Sequence, residues 1–523
     1  MNGAESLVRT AIASGVDLCF ANPGTTEMPL VAALDKEPGM RAVLGLFEGV
    51  CTGAADGYGR MTGKPALALL HLGPGFANGI ANLHNARRAG SPVLNVIGDH
   101  ATWHRAADAP LTSDIASLAR PVSGFVREAR RAGELAGDTR AAIEAALAPP
   151  GQVATLIVPA DCQWEEAAVV GEVARRAAPA TVPSERVVAA AAALRGGEPA
   201  FLVIGGGGLR ERGLLAAARV RAASGCRVLH DTFVARLERG GALPAFERIP
   251  YFPEQAIQAL AGARQLVIAG TRDPVSFFGY PGVPSRLAPA DCRRVVLAEP
   301  SEDVAGALEA LADALGAPPT PARVAPGPPT LVGMGAPPRA PEAGPVDVAS
   351  LGQALAALQP EGAIVVDEGA TSGAVWFAHA AAAPRHTLIA LTGGAIGQGL
   401  PCAVGAACAC PDRKVIALQA DGSGMYTLQA LWTMAREGLD VVVVVCANRS
   451  YRILQLELAR AGIAEPGPQA RRLVDLTHPE IEWTALARGM GVPGVRVADA
   501  GSLAKELGRA LAEPGPALIE ALL

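Results

Sequence analysis

Asp421-Gly422-Ser423 follows the apolar run Val415–Leu418, and Asn448 follows a second run, Val441–Cys446, with Ser450 two positions on. Asp421 and Asn448 stand 27 positions apart, a span that holds a strand end, a helix over about Tyr426–Glu437 and a further strand. Two oxygen-bearing side chains are thus expected at the carboxyl ends of neighbouring parallel strands. A carboxylate (Asp421), an amide oxygen (Asn448) and a nearby carbonyl (Ser450) form a hard, partly filled site, which suits Mg²⁺ completed by phosphate oxygens. Gly422 and Ser423 open the next helix, where free N–H groups favour phosphate.

A second candidate is Glu48, after the apolar stretch Ala42–Leu46 and at the head of the helical segment Gly49–Gly59. Its neighbours Leu44, Leu46, Phe47, Val50 and Cys51 are apolar. Such surroundings are expected to desolvate a carboxylate and favour its protonated form. A helix-starting Glu favoured by the dipole is the plainer reading.

The elements that carry these residues alternate strand and helix, which predicts doubly wound, mostly parallel α/β domains. The expected divisions are an N-terminal domain over 1–165, a central domain over 184–316, a Pro/Ala/Gly-rich linker over 317–345, and a C-terminal domain over 346–523. In the first, strands are expected at Leu18–Ala21, Ala42–Leu46, Ala66–Leu70, Val93–Ile97 and Thr155–Val158. The central Gly205-Gly206-Gly207-Gly208 fails the six-position dinucleotide pattern, so a tight strand-to-helix turn is the better account.

Composition narrows the function. The 523 residues are 50% hydrophobic and 18% charged, with 60 Gly and 42 Pro, as expected for two or three packed domains. A formal charge of −5 argues against a nucleic-acid partner, and no apolar run approaches a membrane span. The beginning Met1-Asn2-Gly3-Ala4-Glu5 has no basic, leader-like region, and the nine Cys include no Cys-x-x-Cys. A cytoplasmic protein with reduced thiols is expected.

Phe47-Glu48-Gly49 with Ala54-Ala55-Asp56-Gly57-Tyr58-Gly59-Arg60 resembles the conserved-Glu segment of thiamine diphosphate (ThDP) enzymes of the acetolactate synthase and benzoylformate decarboxylase branch. Asn22-Pro23-Gly24-Thr25-Thr26-Glu27, Gly73-Pro74-Gly75-Phe76-Ala77-Asn78-Gly79, Asp367-Glu368-Gly369 and Gly393-Gly394-Ala395-Ile396-Gly397 are similar to the same branch, and Asp421-Gly422-Ser423 through Ser450 resembles its diphosphate anchor. The resemblance runs in order over nearly the full length.

It implies three α/β domains (pyrimidine-binding, central, diphosphate-binding) and a ThDP- and Mg²⁺-dependent enzyme. Glu48 would hydrogen-bond the pyrimidine and promote cofactor activation. Ile396 would support the bent cofactor, with Gly394 and Gly397 allowing close backbone approach. Thr371, Gly422 and Ser423 would bind diphosphate oxygens; Asp421, Asn448 and the Ser450 carbonyl would hold the metal. Active sites would lie between chains of a homodimer or homotetramer.

The implied reaction is decarboxylation of a 2-keto acid, with or without ligation to an acceptor carbonyl. A lyase acting on a 2-hydroxyacyl thioester and a non-catalytic ThDP-binding relative stand as alternatives. The placement of His71 resembles a catalytic His of benzoylformate decarboxylase, and Thr25 falls at that enzyme's substrate-binding Ser. His100 and His104, on the loop after Val93–Ile97, are further proton-transfer candidates. His84 reads as a packing or surface residue. Val275–Tyr280 lacks the second catalytic His of that enzyme, and Gly270-Thr271-Arg272-Asp273 only partly matches the flavin-contacting stretch of acetolactate synthase, so FAD is not expected.

Overall fold

The computed structural model describes residues 1–167, 169–319 and 338–523. Most of the expected 317–345 linker therefore lies outside the described residues. The chain forms two compact units, one made of residues 1–177, 337–379 and 389–523, the other of 178–336 and 380–388.

The first unit holds two sheets. In one, β1 (Leu18–Asn22), β2 (Arg41–Leu44), β3 (Ala66–His71), β4 (Val93–Asp99), β5 (Phe125–Glu128) and β6 (Val153–Pro159) lie in the order β2-β1-β3-β4-β6-β5, with every pairing parallel. The edge strand β5 adds to the expected set; half of it is charged, so no apolar run marks it in the sequence. Strand β2 ends at Leu44 rather than Leu46, which is 45% exposed, because the chain must turn there to start the helix carrying Glu48.

In the second unit, β7 (Ala200–Ile204), β8 (Arg227–His230), β10 (Glu247–Arg248), β11 (Gln265–Ala269) and β12 (Arg293–Ala298) form a parallel sheet in the order β10-β8-β7-β11-β12. A short strand β9 (Leu237–Arg239) pairs antiparallel with His386–Leu388.

The other sheet of the first unit uses β13 (Ala363–Glu368), β14 (His386–Ala390, of which Ile389 and Ala390 belong to this unit), β15 (Val415–Ala420), β16 (Val441–Ala447), β17 (Gly494–Val497) and β18 (Ala517–Leu522), in the order β17-β18-β16-β15-β13-β14. Numbered from its own first strand and read from the other edge, that order is 2-1-3-4-6-5, the same as in the first sheet. Strand β16 is buried along its whole length. Its five consecutive Val suit a central parallel strand covered on both faces, and each buried Val contributes about 1.5–3 kcal/mol.

Three helices position the site. They are α1 (Glu48–Thr62), α2 (Leu72–Ala89) and α3 (Gly399–Ala409). Helix α1 ends on Gly63 at φ +67°, a left-handed cap that glycine adopts without strain. α1 and α3 approach so closely that a Cβ on Gly57 would stand 2.2 Å from the Cys402 carbonyl oxygen, and one on Gly405 1.9 Å from that of Ala54. Buried Arg60 on α1 pairs with Asp56 and donates to the Ala390 carbonyl at 2.7 Å and to Thr392 Oγ1 at 3.0 Å. Removing one partner of such a buried pair costs about 3–5 kcal/mol. The chain leaving β14 is therefore anchored on α1.

The expected helix over Tyr426–Glu437 begins only at Ala430, since Asp421–Gly424 first forms a separate helical turn. Cys402 is buried in α3 as an apolar filler, and all nine cysteines are free thiols. Among the described residues no helix is long and apolar enough to cross a membrane.

Candidate active site

In an open parallel sheet, ligands gather where the strand order reverses, between the first and third strands in the 2-1-3-4 order. At that point of the first sheet stand the ends of β1 and β3. The turn after β1 carries exposed Thr25 and the 3₁₀ segment Thr25–Glu27; β3 ends on His71. Glu27 is fully buried and accepts the Gly24 N–H at 2.7 Å and the Thr26 hydroxyl at 2.6 Å. His71 Nδ1 lies 2.8 Å from the Glu27 oxygen that takes the Gly24 N–H. A carboxylate only accepts, so Nδ1 carries the hydrogen and Nε2 is left as the working nitrogen. The packing leaves little choice of neighbour. A Cβ on Gly24 would fall 2.4 Å from the His71 ring, and one on Gly98 1.8 Å from Glu27 Oε1.

The other histidines divide. His100 follows β4, half-buried, with Nε2 buried and without a hydrogen-bond partner, and its ring meets the His104 ring edge-on at 5.4 Å. Trp103 beside them is 72% exposed. His84 is not a mere packing residue, for its Nε2 lies 3.1 Å from the Gly393 carbonyl oxygen.

Glu48 heads α1 and is half-buried, with Oε2 accepting from Asn78 Nδ2 at 3.0 Å. The apolar wall expected around it is incomplete within the chain. Leu46 points to solvent because β2 has already ended.

In the equivalent place of the third sheet, β13 and β15 reverse the order. Asp421 follows β15 and is buried, its two oxygens accepting the N–H of Gly422 at 2.8 Å and of Arg449 at 2.6 Å. Arg449 sits at φ +55°, a strained conformation for a side-chain-bearing residue that turns its N–H toward the carboxylate. Asn448 Oδ1 accepts the Ser450 N–H at 3.0 Å, closing the loop after β16. Burial pushes the Asp421 carboxyl above its ordinary range, opposed by those N–H groups. No ion pair to it occurs among the described residues, and its oxygens keep free lone pairs, so a hard cation would supply the missing compensation. Ser423 is buried, with Oγ accepting from Gln419 Nε2 at 2.6 Å, and Thr371 is half-buried in the turn after β13.

The loop after β14 holds Gly394 at φ +75°, half-buried Ile396 and Gly397 at φ +93°. Buried Glu368, at the end of β13, accepts the Gly397 N–H at 2.6 Å and the Gly399 N–H at 2.5 Å. Desolvation drives its carboxyl up to about 7 against those two hydrogen bonds. Glu27 and Glu368 both lie inside motifs visible in the sequence, yet neither has an expected role there; an acidic residue near a strand end is the only local signal.

A family model described as thiamine pyrophosphate enzyme, N-terminal TPP binding domain, matches residues 1–118, and its C-terminal TPP binding counterpart matches 369–521. A Mycobacterium tuberculosis protein provisionally named acetolactate synthase large subunit is 51% identical over 525 residues, 100% of this chain and 99% of its own. The benzoylformate decarboxylase of Pseudomonas aeruginosa is 30% identical, covering 97% of this chain and 96% of its own. The solved ThDP-dependent 4-hydroxybenzoylformate decarboxylase of Rhodococcus jostii superposes with a TM-score of 0.85 at 26% identity, covering 100% of this chain and 99% of its own.

Proposed function

The chain belongs to the thiamine pyrophosphate (thiamine diphosphate) enzymes of the acetolactate synthase and benzoylformate decarboxylase family, and from that premise we propose a Mg²⁺-dependent decarboxylase of a 2-keto acid. The observation that carries the reaction is His71 held on buried Glu27, with Nε2 free at the sheet's reversal point. ThDP supplies an electron sink for the pair left behind when the carboxylate departs as CO₂. That pair must end on a proton or on an acceptor carbonyl. A His held through Nδ1–H by a buried carboxylate can take a proton from water at Nε2, its imidazolium form supported by that carboxylate, and then pass that proton from Nε2 to the carbon that lost CO₂. Thr25, exposed beside it, is the residue assigned to the substrate carboxylate. His100 and His104 stand one strand further along as secondary donors.

Asp421, Asn448 and the Ser450 carbonyl form the proposed metal ligands. The N–H groups of Gly422 and Ser423 and the Thr371 hydroxyl are the proposed diphosphate contacts. Glu48 is assigned to the pyrimidine ring and Ile396 to the support of the cofactor. We place the complete site between chains of a homodimer or homotetramer, as the family resemblance implies. FAD has no assigned role.

The test is a panel of aromatic and aliphatic 2-keto acids offered with ThDP and Mg²⁺, with CO₂ release as the readout. At least one member should turn over, and Glu27→Gln should lower kcat by at least tenfold, the lower part of the range for general acid help being about 10²-fold. Cleavage of a 2-hydroxyacyl thioester with no CO₂ from any keto acid would replace this reading with the lyase. ThDP binding without any turnover would replace it with the non-catalytic relative.

A further inference from the structure

The loop bearing Ile396 has a mechanical problem that its own sequence does not solve. Gly393, Gly394 and Gly397 give it the widest backbone freedom of any residue type, and Ile396 is only half-buried and contributes to none of the buried core. Nothing local therefore fixes where the Ile396 side chain points.

Side chains elsewhere restrain it, including His84 at the Gly393 carbonyl and Thr427, whose hydroxyl donates to the Gly397 carbonyl at 2.8 Å, and two of them grip the peptides that flank Ile396, one on each side. Asn85, fully buried on α2, pairs with the Ala395 peptide as a strand would, donating from Nδ2 to the carbonyl at 2.7 Å and accepting the N–H on Oδ1 at 3.2 Å. Its own carbonyl accepts the Thr392 hydroxyl at 2.8 Å. A Cβ on Gly393 would fall 2.5 Å from Asn85 Oδ1, so the loop lies directly on this amide. On the other side Glu368 takes the N–H groups of Gly397 and Gly399. The peptides before and after Ile396 are each gripped, and the residue between them is left only partly covered.

We propose that Asn85 and Glu368 are paired positioning residues that hold Ile396 in the orientation needed to bend the bound cofactor, a role that rests on the assignment of Ile396 above. Helix α2 starts at the residue after His71, so one rigid element links the proton donor's strand to the cofactor-supporting loop of the same chain.

Two readouts test this without a substrate. Backbone amide exchange in the cofactor-free protein should rise about tenfold or more across 393–397 in Asn85→Ala, because opening is opposed by two fewer hydrogen bonds, while β15 and β16 stay unchanged. With ThDP and Mg²⁺ added, C2–H exchange on the bound cofactor should slow at least tenfold while ThDP half-saturation stays within about threefold, since the grip acts on orientation and not on the diphosphate. Glu368→Gln, which faces the Gly399 N–H with a donor, should reproduce both changes from the opposite side and serves if Asn85→Ala does not fold. Unchanged loop exchange in both variants, or a loosened loop with wild-type C2–H exchange, would overturn the proposal. Failure of the keto-acid panel touches neither readout, so the reaction assigned above and this clamp fall separately.

Discussion

The first and third sheets share one strand order, 2-1-3-4-6-5, yet present different chemistry at matching positions. The end of the third strand is His71 in one and leads into Asp421 in the other. The end of the fourth leads to His100 in one and to Asn448 in the other. The segment after the second strand opens α1 with Glu48 in the first sheet, and in the other it runs through Ile396 into α3, the helix that packs against α1. One topology thus supplies two reversal points. One is furnished with groups that move protons and the other with oxygens suited to a cation and a diphosphate. Sheet order decides where a ligand can sit, and the few residues at strand ends decide which part of it sits there. The middle sheet, with the different order β10-β8-β7-β11-β12, has its own reversal point filled from within. There a Cβ on Gly205 would meet the Gly270 carbonyl and Thr271 at 2.7 Å, and the Thr271 hydroxyl donates to Asp231 at 2.5 Å.

The contrast predicts that damage to the proton-handling half slows chemistry while damage to the cation-holding half weakens binding. Glu48→Gln should show the largest effect. It keeps size and hydrogen bonding but cannot exchange a proton, and loss of such help costs on the order of 10²–10⁴-fold in rate. A helix-dipole role alone would cost only about 0.3–1 kcal/mol of stability. C2–H/D exchange on bound ThDP by quenched NMR checks this, and exchange within a few-fold of wild type would remove Glu48 from the chemistry. Asp421→Ala should weaken ThDP half-saturation in the presence of Mg²⁺ by roughly 100-fold or more with the fold retained, since removing even a group that only supports a metal ligand costs about 10–100-fold. Wild-type affinity in a titration followed by tryptophan fluorescence would dissolve the division of labour.

The smallest effect belongs to the middle sheet, where only stability should respond. Burial raises the half-buried Asp231 carboxyl from 3.8 to about 6. Below about 3.8 both native and unfolded chains carry the proton, so pH has no grip. Between about 3.8 and 6 the native state keeps a proton that the unfolded chain has lost, so stability falls as pH rises, and it levels off above 6. Asp231→Asn removes that loss. It should therefore stabilise the second unit by about 1–2 kcal/mol at pH 8, allowing for residual solvent screening, and by almost nothing at pH 3.5. Thermal unfolding at the two pH values checks the sign; equal gains at both would show that the charge is not the cause.

Much of the molecule is legible without its tertiary structure. The unbroken Val and Ile runs mark β15 and β16, and the residues directly after them mark Asp421 and Asn448, because strand burial and the turn that ends a strand are local properties of the chain. Glu48 at the head of α1 is legible for the same reason. The boundary errors, at Leu46 and at Tyr426, arise where a turn or a short helical segment interrupts an apolar pattern that continues in sequence.

Partnership is not legible. Glu27 reads as an ordinary helix-start acid until the fold brings it to His71, 44 residues away, and Asn85 reads as a mid-helix polar residue until it meets Ala395, 310 residues away. Nor does any local signal give the shared order of the first and third sheets. Sequence by itself determined most of the elements and the residues at strand ends, since periodicity and turn chemistry act over a few residues, and its motifs carried the resemblance to the family. Only the tertiary structure decided which buried acid orients which base and which amide holds the Ile396 loop, since those contacts depend on strand register and helix packing between residues 44 and 310 positions apart.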